Sequence, residues 1–482
     1  MAFRNLKEFL VRLEKENELQ RIGMEIDPVL EVTEITDRVT KAGGPALLFE
    51  NPKGSKVPLA INVMGSKRRL QLALGVNHVD EVAERIRSLM EIPRPEGMLD
   101  KLKLLGRLRE LEAVFPRTVK NAPCQDVVRR ENFSLSEFPI LKCWPEDGGR
   151  YITWPLVITR DPRTGHRNVG VYRMQVLDDR TTAMHWQTQK HGAEHFRHVK
   201  SEKPGRLEVA VAIGTEPATA LAGVLPAPPG MDEMMLAGFL RREPVDMVRC
   251  VSVDLEVPAE SEIVLEGYVD TEDMRTEGPF GDHTGFYSLQ GQYPAFHVTC
   301  VTHRTHPIYL TTIVGRPPQE DFFMGYAVER IFLPLMQMVH PEIVDVSMPA
   351  EGIFNNLIVV AIRKSYPGHA RKIMHAIWSM GQAMLTKVVV VVDHDVDVQN
   401  PSEVVWKTLC AIDPQRDVDF VLGPVDTLEH AARMQDYGSK MGIDATRKWP
   451  EEGFHRPWPD EARMDPAVKA RIDALWGKLG LK

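Results

Sequence analysis

Little in this sequence belongs to the commonest function classes. It has only five cysteines in 482 residues, Cys124, Cys143, Cys250, Cys300 and Cys410. No two form a C-x-x-C pair, which excludes a disulfide scaffold or a paired-cysteine zinc site. The spacing predicts free thiols in a reducing cytoplasm, packed as small buried hydrophobes. The most apolar runs, such as Val388 to Val392, are far too short to span a bilayer. The N-terminus, Met1 to Asn5 leading into a charged amphipathic stretch, lacks the apolar core of a signal peptide. There is no excess of basic charge: Lys and Arg number 59 against 67 Asp and Glu, a formal net charge of -8. That balance speaks against a nucleic-acid partner, which needs a basic face. We therefore expect a cytoplasmic protein, with peripheral membrane contact only if its substrate is lipidic.

Familiar motifs are missing too. No G-x-G-x-x-G follows a strand, and there is no Walker A loop, G-x-S-x-G elbow or H-E-x-x-H. This weakens the case for an ordinary Rossmann dehydrogenase, a P-loop enzyme, an α/β-hydrolase or a zincin.

What is present has a tripartite pattern, with no internal repeat. Leu6, Phe9, Leu10 and Leu13 fall at i, i+3, i+4 and i+7 and predict a first helix. Strands are expected over 45–50 and 58–63, and a helix over 78–90. The Pro-rich, charged stretch Ile92 to Leu104 reads as a boundary. From about 115 to 315 short β-rich runs dominate, at 157–159, 170–176, 207–213, 248–257, 262–269 and 295–301. One helix interrupts them near 232–240. Such spacing predicts an antiparallel barrel or sandwich. The last third alternates strand and helix: strands at 343–346, 357–362 and 388–393, helices at 369–384, 401–411 and 465–479. That order implies an α/β layer.

The densest chemistry lies in Glu277 to Tyr287 (EGPFGDHTGFY). Glycine and proline fix an irregular backbone there, and ionisable groups on such a loop between apolar strands mark a site. Glu277 and Asp282 stand five apart, so a tight turn brings both to one cavity; the alternative is a solvated surface turn. Arg173 interrupts the apolar run 170–176. It either points inward to an acid or an anionic ligand, or keeps its head in water. Met184 to His191 (MHWQTQKH) could line a planar ligand. Asn168, His191 and Glu233 offer oxygen and nitrogen donors, although their spacing matches no general metal motif. Asp393 to Asp397 reads as a solvated acidic turn.

At these residues the sequence resembles the UbiD family over nearly its whole length. The resemblance includes Gly43 to Gly54 (GGPALLFENPKG), Cys143 to Asp147 (CWPED), Arg173, and Glu277 to Tyr287. It continues through Gly315 to Pro318 (GRPP), Pro367 to Arg371 (PGHAR) and Gly438 to Thr446 (GSKMGIDAT). It implies an α+β fold: a central split β-barrel like that of flavin reductases, here residues 111–315, flanked by an N-terminal α/β region, 1–110, and a C-terminal α/β oligomerisation domain with a terminal helix, 316–482. A homo-oligomer, dimer or hexamer, follows from the same likeness. It also implies prenylated FMN, supplied by a separate flavin prenyltransferase. The catalytic set maps to Arg173, Glu277 and Asp282. Mn2+ maps to Asn168, Glu233 and, in some members, a histidine at the place of His191; K+ lies nearby. Cofactor contacts map to Asn168, Val171, Tyr172, Arg173, His185, Trp186, Gln187, Lys190, His191 and Glu233.

The implied reaction is reversible decarboxylation of an aromatic or other α,β-unsaturated acid. Losing CO2 from an sp2 carbon leaves charge that no side chain can delocalise, so the modified flavin acts as the electron sink. Arg173 orients the carboxylate, Glu277 holds Arg173, and Asp282 delivers the proton that replaces CO2. That role requires Asp282 to be protonated near neutral pH, through burial. The loop and the C-terminal segment look most like the branch acting on polyprenyl-4-hydroxybenzoate in ubiquinone biosynthesis. The next readings are a dihydroxynaphthoate decarboxylase of the menaquinone pathway and a catabolic hydroxybenzoate or heteroaromatic (de)carboxylase. A flavin-binding oxidoreductase on the same barrel is the alternative of another class, and the acid pair argues against it. A non-catalytic oligomeric scaffold comes last, because the whole catalytic set is present.

Overall fold

Apolar residues at helical spacing set the first element. The helix Leu6–Lys15 buries Leu6, Phe9, Leu10 and Leu13, and the Asn5 side chain caps it by accepting from the Glu8 N–H. The computed structural model describes residues 3–90, 114–202, 205–227, 230–354 and 356–480. The stretch read as a boundary, Ile92 to Leu104, lies outside them. The N-terminal sheet runs β1 (Leu19–Ile22), β2 (Ala46–Phe49), β3 (Leu59–Ile61) and, from much later in the chain, β16 (Tyr309–Leu310).

The middle of the chain forms a nine-stranded antiparallel sheet. Its strands are β5 (Val127–Arg129), β6 (Tyr151–Ile152), β7 (Leu156–Arg160), β8 (Arg167–Val171), β9 (Met174–Val176), β10 (Thr181–Met184), β11 (Arg206–Ile213), β14 (Ile263–Glu277) and β15 (Gly291–His303). The order is β6-β9-β10-β15-β14-β11-β7-β8, with β5 on β15. Alternation in β11 shows how the sequence dictates the layers. Leu207, Val209, Val211 and Ile213 enter one core. Ala210 and Ala212 face the other, with Ala222, Met234 and Ala237 of the covering helices. The sheet must also curl. β8 and β9 lie near opposite ends of the strand order, yet only Tyr172 and Arg173 separate them. The two ends therefore meet, making a barrel split along a seam at those residues.

Several elements differ from expectation. Residues 170–176 are not one strand but the end of β8, the seam and β9. The run 248–257 divides into β12 (Asp246–Arg249) and β13 (Glu256–Pro258), which form a small sheet with β4 (Arg117–Val119). The Glu266 carboxylate fixes the turn between them by accepting from the backbone N–H of Val251 and Ser252. The barrel region carries two more helices than expected. His191–Glu202 buries little beyond Gly192, Ala193 and His195, so it lacks an apolar stripe. Pro217–Ala222 is buried on all sides, so it lacks a polar one. Cys124, Cys143 and Cys300 are buried thiols as expected, but Cys250 is half-buried and Cys410 is exposed.

The C-terminal sheet has the order β17 (Ile343–Ser347), β18 (Leu357–Ile362), β19 (Val388–Asp393), β21 (Tyr437–Ala445) and β20 (Val418–Pro424). Ile358, Val360, Val389 and Val391 pack under the helix His369–Trp378. Val359, Ala361, Val390 and Val392 pack under Pro401–Ala411. The first of these helices stops short of the expected Met384, giving way to a 3-10 turn at Gly381–Leu385 where Gly381 takes a positive φ of 47°. A 20-residue helix, Glu320–Val339, joins barrel to sheet and was not anticipated. By length and composition it could cross a membrane. It is a core helix instead, because it buries Glu320, Glu329 and Arg330 beside Met324, Ala327 and Ile331.

Candidate functional site

The seam places one guanidinium among two carboxylates. β14 ends at Glu277, and the chain then turns sharply. Gly278 holds φ at 98°, a region that favours glycine. Asp147 pins the loop by accepting from the Gly281 N–H at 2.8 Å and from the Trp144 N–H at 2.8 Å. A Cβ on Gly281 would sit 2.2 Å from Trp144 Cδ1, so only glycine passes there. The Gly285 N–H closes the turn onto the Asp282 carbonyl at 2.8 Å. Glu277 and Asp282 thereby reach the same partner. Arg173 Nε donates to Glu277 Oε1 at 2.7 Å and Nη2 to Oε2 at 3.3 Å. Its Nη1 donates to Asp282 Oδ2, and Nη2 reaches Ser288 Oγ at 3.2 Å. The guanidinium also stands over the Phe280 ring, 4.8 Å from its centroid. Side-chain exposure is 10% for Arg173, 0% for Glu277 and 6% for Asp282.

Such close pairing decides the charge states. Burial alone would raise Glu277. The hydrogen bond from His185, at 3.1 Å, and the charge of Arg173 outweigh it and bring Glu277 down to about 2. Burial pushes Asp282 up as well, but the charges of Arg173 and His283 hold it well below the usual carboxylate range. This corrects the expectation that burial keeps Asp282 protonated: in the arrangement seen here it is a carboxylate. Burial and the nearby Arg173 lower His185, leaving it neutral.

The other candidates gather along the same seam. Asn168 lies in β8, Glu233 opens the helix Glu233–Arg241, and His191 opens His191–Glu202. Tyr172 Oη ties two of these places together. It is 3.4 Å from Asn168 Nδ2, and the N–H of Gly192, next to His191, donates to it at 3.4 Å. Glu233 accepts from the Val169 N–H at 2.9 Å. Burial pushes Glu233 up to about 7, while nearby Arg167 pairs with Asp232 and Glu256 instead. A buried carboxylate hydrogen-bonded to the backbone next to Asn168 and the amide of Asn168 are donors of a kind that suits a hard divalent cation. Among the described residues no three His, Cys, Asp or Glu stand close enough to hold a metal by themselves, so an ion here would depend on Asn168 or on a ligand. His191 is half-buried.

The segment after β10 has the character of a ligand wall. His185 Nε2, Trp186 Nε1 and Gln189 Nε2 are buried and find no protein hydrogen-bond partner among the described residues. Three such polar atoms in five residues, one acceptor and two donors, fit a polar ligand. Gln187 is half-buried and accepts the Lys190 N–H through its carbonyl at 3.0 Å. Val171 donates its N–H to the Gly223 carbonyl at 3.2 Å. Lys190 Nζ crosses to Gln382 Oε1 of the C-terminal part at 2.6 Å. A cavity of about 270 Å³ lies outside the seam, lined by Ile158, Arg160, His166, Arg167, Asp232 and Glu256 among others; Arg173, Glu277 and Asp282 do not line it. Sequence reasoning passed over Asp147, Ser288 and His283. Asp147, the last residue of the CWPED stretch, and His283, next to an acid in the densest loop, left a visible signal; Ser288 left none.

Three family models match in chain order. They describe the N-terminal domain (residues 10–88), the Rift-related domain (117–317) and the C-terminal domain (322–445) of 3-octaprenyl-4-hydroxybenzoate carboxy-lyase. The chain belongs to the UbiD family. This UbiD chain is 52% identical over 480 residues to an uncharacterized protein of Archaeoglobus fulgidus, covering 99% of each. Among solved structures, it is similar to the vanillic acid decarboxylase of Sedimentibacter hydroxybenzoicus in closed form: 28% identity, TM-score 0.86, and 100% of both chains covered. It is also similar to the UbiD-class enzyme HmfF of Pelotomaculum thermopropionicum in complex with FMN, with 31% identity, TM-score 0.80, and 97% and 98% of the chains covered. An evolved dimeric form of HmfF is in complex with prFMN. The α+β architecture with a split barrel is thus that of UbiD enzymes, and the protein is a UbiD-type carboxy-lyase.

Proposed function

We propose that this UbiD enzyme removes or exchanges CO2 on an aromatic acid, with prenylated FMN bound along the seam. The observation that carries the reading is the buried Arg173 held between Glu277 and Asp282. An arginine kept rigid by one carboxylate, with its other edge against a second, is built to take a carboxylate ligand bidentately. His185, Trp186, Gln187 and Lys190 would wall the cofactor. Asn168 and Glu233 would hold its divalent ion, which we take to be Mn2+, with K+ nearby. Once bound, the cofactor supplies the electron sink that no side chain can provide.

The protein's own residues then divide the work. Glu277 fixes the guanidinium. An incoming carboxylate competes for Arg173 Nη1 and brings negative charge beside Asp282. Both effects raise the Asp282 pKa, so this acid takes up its proton as substrate binds and gives it to the carbon that loses CO2. The leading substrate is a polyprenyl-4-hydroxybenzoate, which favours a membrane-surface encounter by a cytoplasmic enzyme. The solved relative acting on vanillic acid supports smaller hydroxybenzoates as the second reading.

The test is co-expression with a flavin prenyltransferase. The loaded enzyme is then screened for CO2 release and for deuterium exchange at the decarboxylated carbon. The panel is 4-hydroxybenzoate, a short-chain prenylated 4-hydroxybenzoate, a dihydroxynaphthoate, vanillate and 3,4-dihydroxybenzoate. Turnover of one of these acids is expected. Bound prenylated flavin without turnover or exchange on any of them overturns the reading.

A further inference from the structure

Asp282 has a basic neighbour on the side away from Arg173. His283 Nδ1 lies 3.0 Å from Asp282 Oδ1, and the His283 backbone N–H donates to the same oxygen at 2.8 Å. Arg173 takes the other oxygen, Oδ2. The carboxylate thus has one face toward the place where a substrate carboxylate is oriented and one toward an imidazole. The two side chains also differ in their access to water: Asp282 is 6% exposed and His283 is 23%. The imidazole is thus the more exposed member of the pair.

Other groups act on His283 from separate elements. The edge of Phe354 meets its ring, with centroids 5.6 Å apart and planes at 74°. Asp321 in the first turn of Glu320–Val339 and Asp426 beyond β20 add negative charge. Arg173 stands behind Asp282. Burial lowers the imidazole pKa, but Asp282, Asp321 and Asp426 outweigh it and push it up to about 9.

We propose that His283 is the proton donor that recharges Asp282 in each turnover. This rests on the decarboxylase reading. When CO2 leaves, the electron pair of the broken C–C bond stays on the substrate carbon and takes the proton of Asp282 as a new C–H bond. As the next substrate carboxylate competes for Arg173, the Nδ1–H of His283 passes its proton to Asp282 Oδ1, and water reprotonates the imidazole. Rotation about the Asp282 Cβ–Cγ bond presents the recharged oxygen to that substrate. His283 touches no reacting atom; it is a positioning residue that acts through Asp282.

The test uses His283→Gln, which keeps a hydrogen-bond donor beside Asp282 but has no transferable proton. The probe is the best acid of the panel above, with the loaded enzyme. We expect kcat to fall at least tenfold with KM within twofold. Wild-type activity should fall above about pH 9 and that fall should be absent from the variant, and added imidazole should restore part of the rate. A second readout needs no cofactor: in histidine-labelled protein, the NMR titration of His283 near pH 9 should move to lower pH in Asp282→Asn. Three results overturn the proposal: unchanged kcat in His283→Gln, a fall in kcat with the wild-type pH profile and no imidazole rescue, or a His283 titration that ignores Asp282→Asn. If wild-type enzyme turns over no acid of the panel, the decarboxylase reading fails first and the proposal with it.

Discussion

Asp282 and Glu277 share one arginine but play different parts, and single substitutions separate them. Asp282→Asn keeps the shape of the group and one acceptor for Arg173 while removing the proton to be delivered. It should retain flavin, measured by absorbance after desalting, and lose about 100- to 10,000-fold in kcat, the usual worth of one general acid. Turnover at the wild-type rate would remove Asp282 from the mechanism. Glu277→Gln strikes stability as well as activity. The folded-state pKa of Glu277 lies near 2, below its ordinary value of 4.5. Its ionic contribution is therefore complete above pH 4.5 and is lost as pH falls from 4.5 toward 2. Removing one partner of a buried pair costs about 3 kcal/mol. Calorimetry should show Glu277→Gln with a lower Tm at pH 7 and a Tm that changes less than wild type's on acidification through that window. At this scale the sequence was informative about which residues meet. An arginine in an apolar run and two acids five apart on a glycine-rich loop already suggested a cluster. It was less informative about protonation. That depends on Arg173 and His283 both standing against Asp282, which the spacing of one loop does not reveal.

At the scale of elements, the site depends on strands that stop where their sequence could have continued. Residues 170–176 read as one strand because their side chains suit a pleat. Pairing decides otherwise: β8 belongs to β7 and β9 to β10, so Tyr172 and Arg173 bridge opposite ends of the sheet. Long-range pairing of this kind is invisible to local periodicity, as is the burial of Pro217–Ala222 on every side. By contrast, Leu6–Lys15 and the valine strand β19 were legible, since one face or one apolar run fully specifies each. Gly170 shows how tightly the seam is drawn. A Cβ there would lie 2.7 Å from the Tyr172 ring and hydroxyl. Gly170→Ala must therefore displace Tyr172, the hydroxyl that links Asn168 to Gly192. Overpacking of this sort costs about 1–3 kcal/mol. The variant should fold with a Tm a few degrees lower, yet lose most bound flavin and most of the divalent metal proposed for Asn168 and Glu233, measured by absorbance and elemental analysis. Full metal and flavin retention would show that Tyr172 does not organise that end of the site.

At the scale of the whole molecule, the C-terminal part both covers the site and carries a helix with nothing to cover. Lys190 reaches Gln382, Phe354 meets His283, and the Phe286 ring lies 4.6 Å from that of His430. The barrel loop is thus held against the last third of the chain. Beyond this contact the helix Pro466–Trp476 buries none of its residues. Its eleven residues are fewer than the 12–15 or so below which an isolated helix is marginal in water. Ile472, Leu475 and Trp476 fall at i, i+3 and i+4 of the helix, an apolar stripe that Leu479 continues just past its end, and Leu475, Trp476 and Leu479 are 39%, 47% and 51% exposed. A stripe of this kind on a helix too short to persist alone requires a surface to pack on, and a second copy of the chain is the partner the homo-oligomer expectation supplies. Truncation after Met464 should therefore lower the mass found by sedimentation while the far-UV spectrum loses only about one helix. Trp476→Ala should weaken the same assembly in a concentration-dependent way. If the truncated chain sediments at the mass of the full chain, the oligomer is held elsewhere and the helix Pro466–Trp476 has another partner.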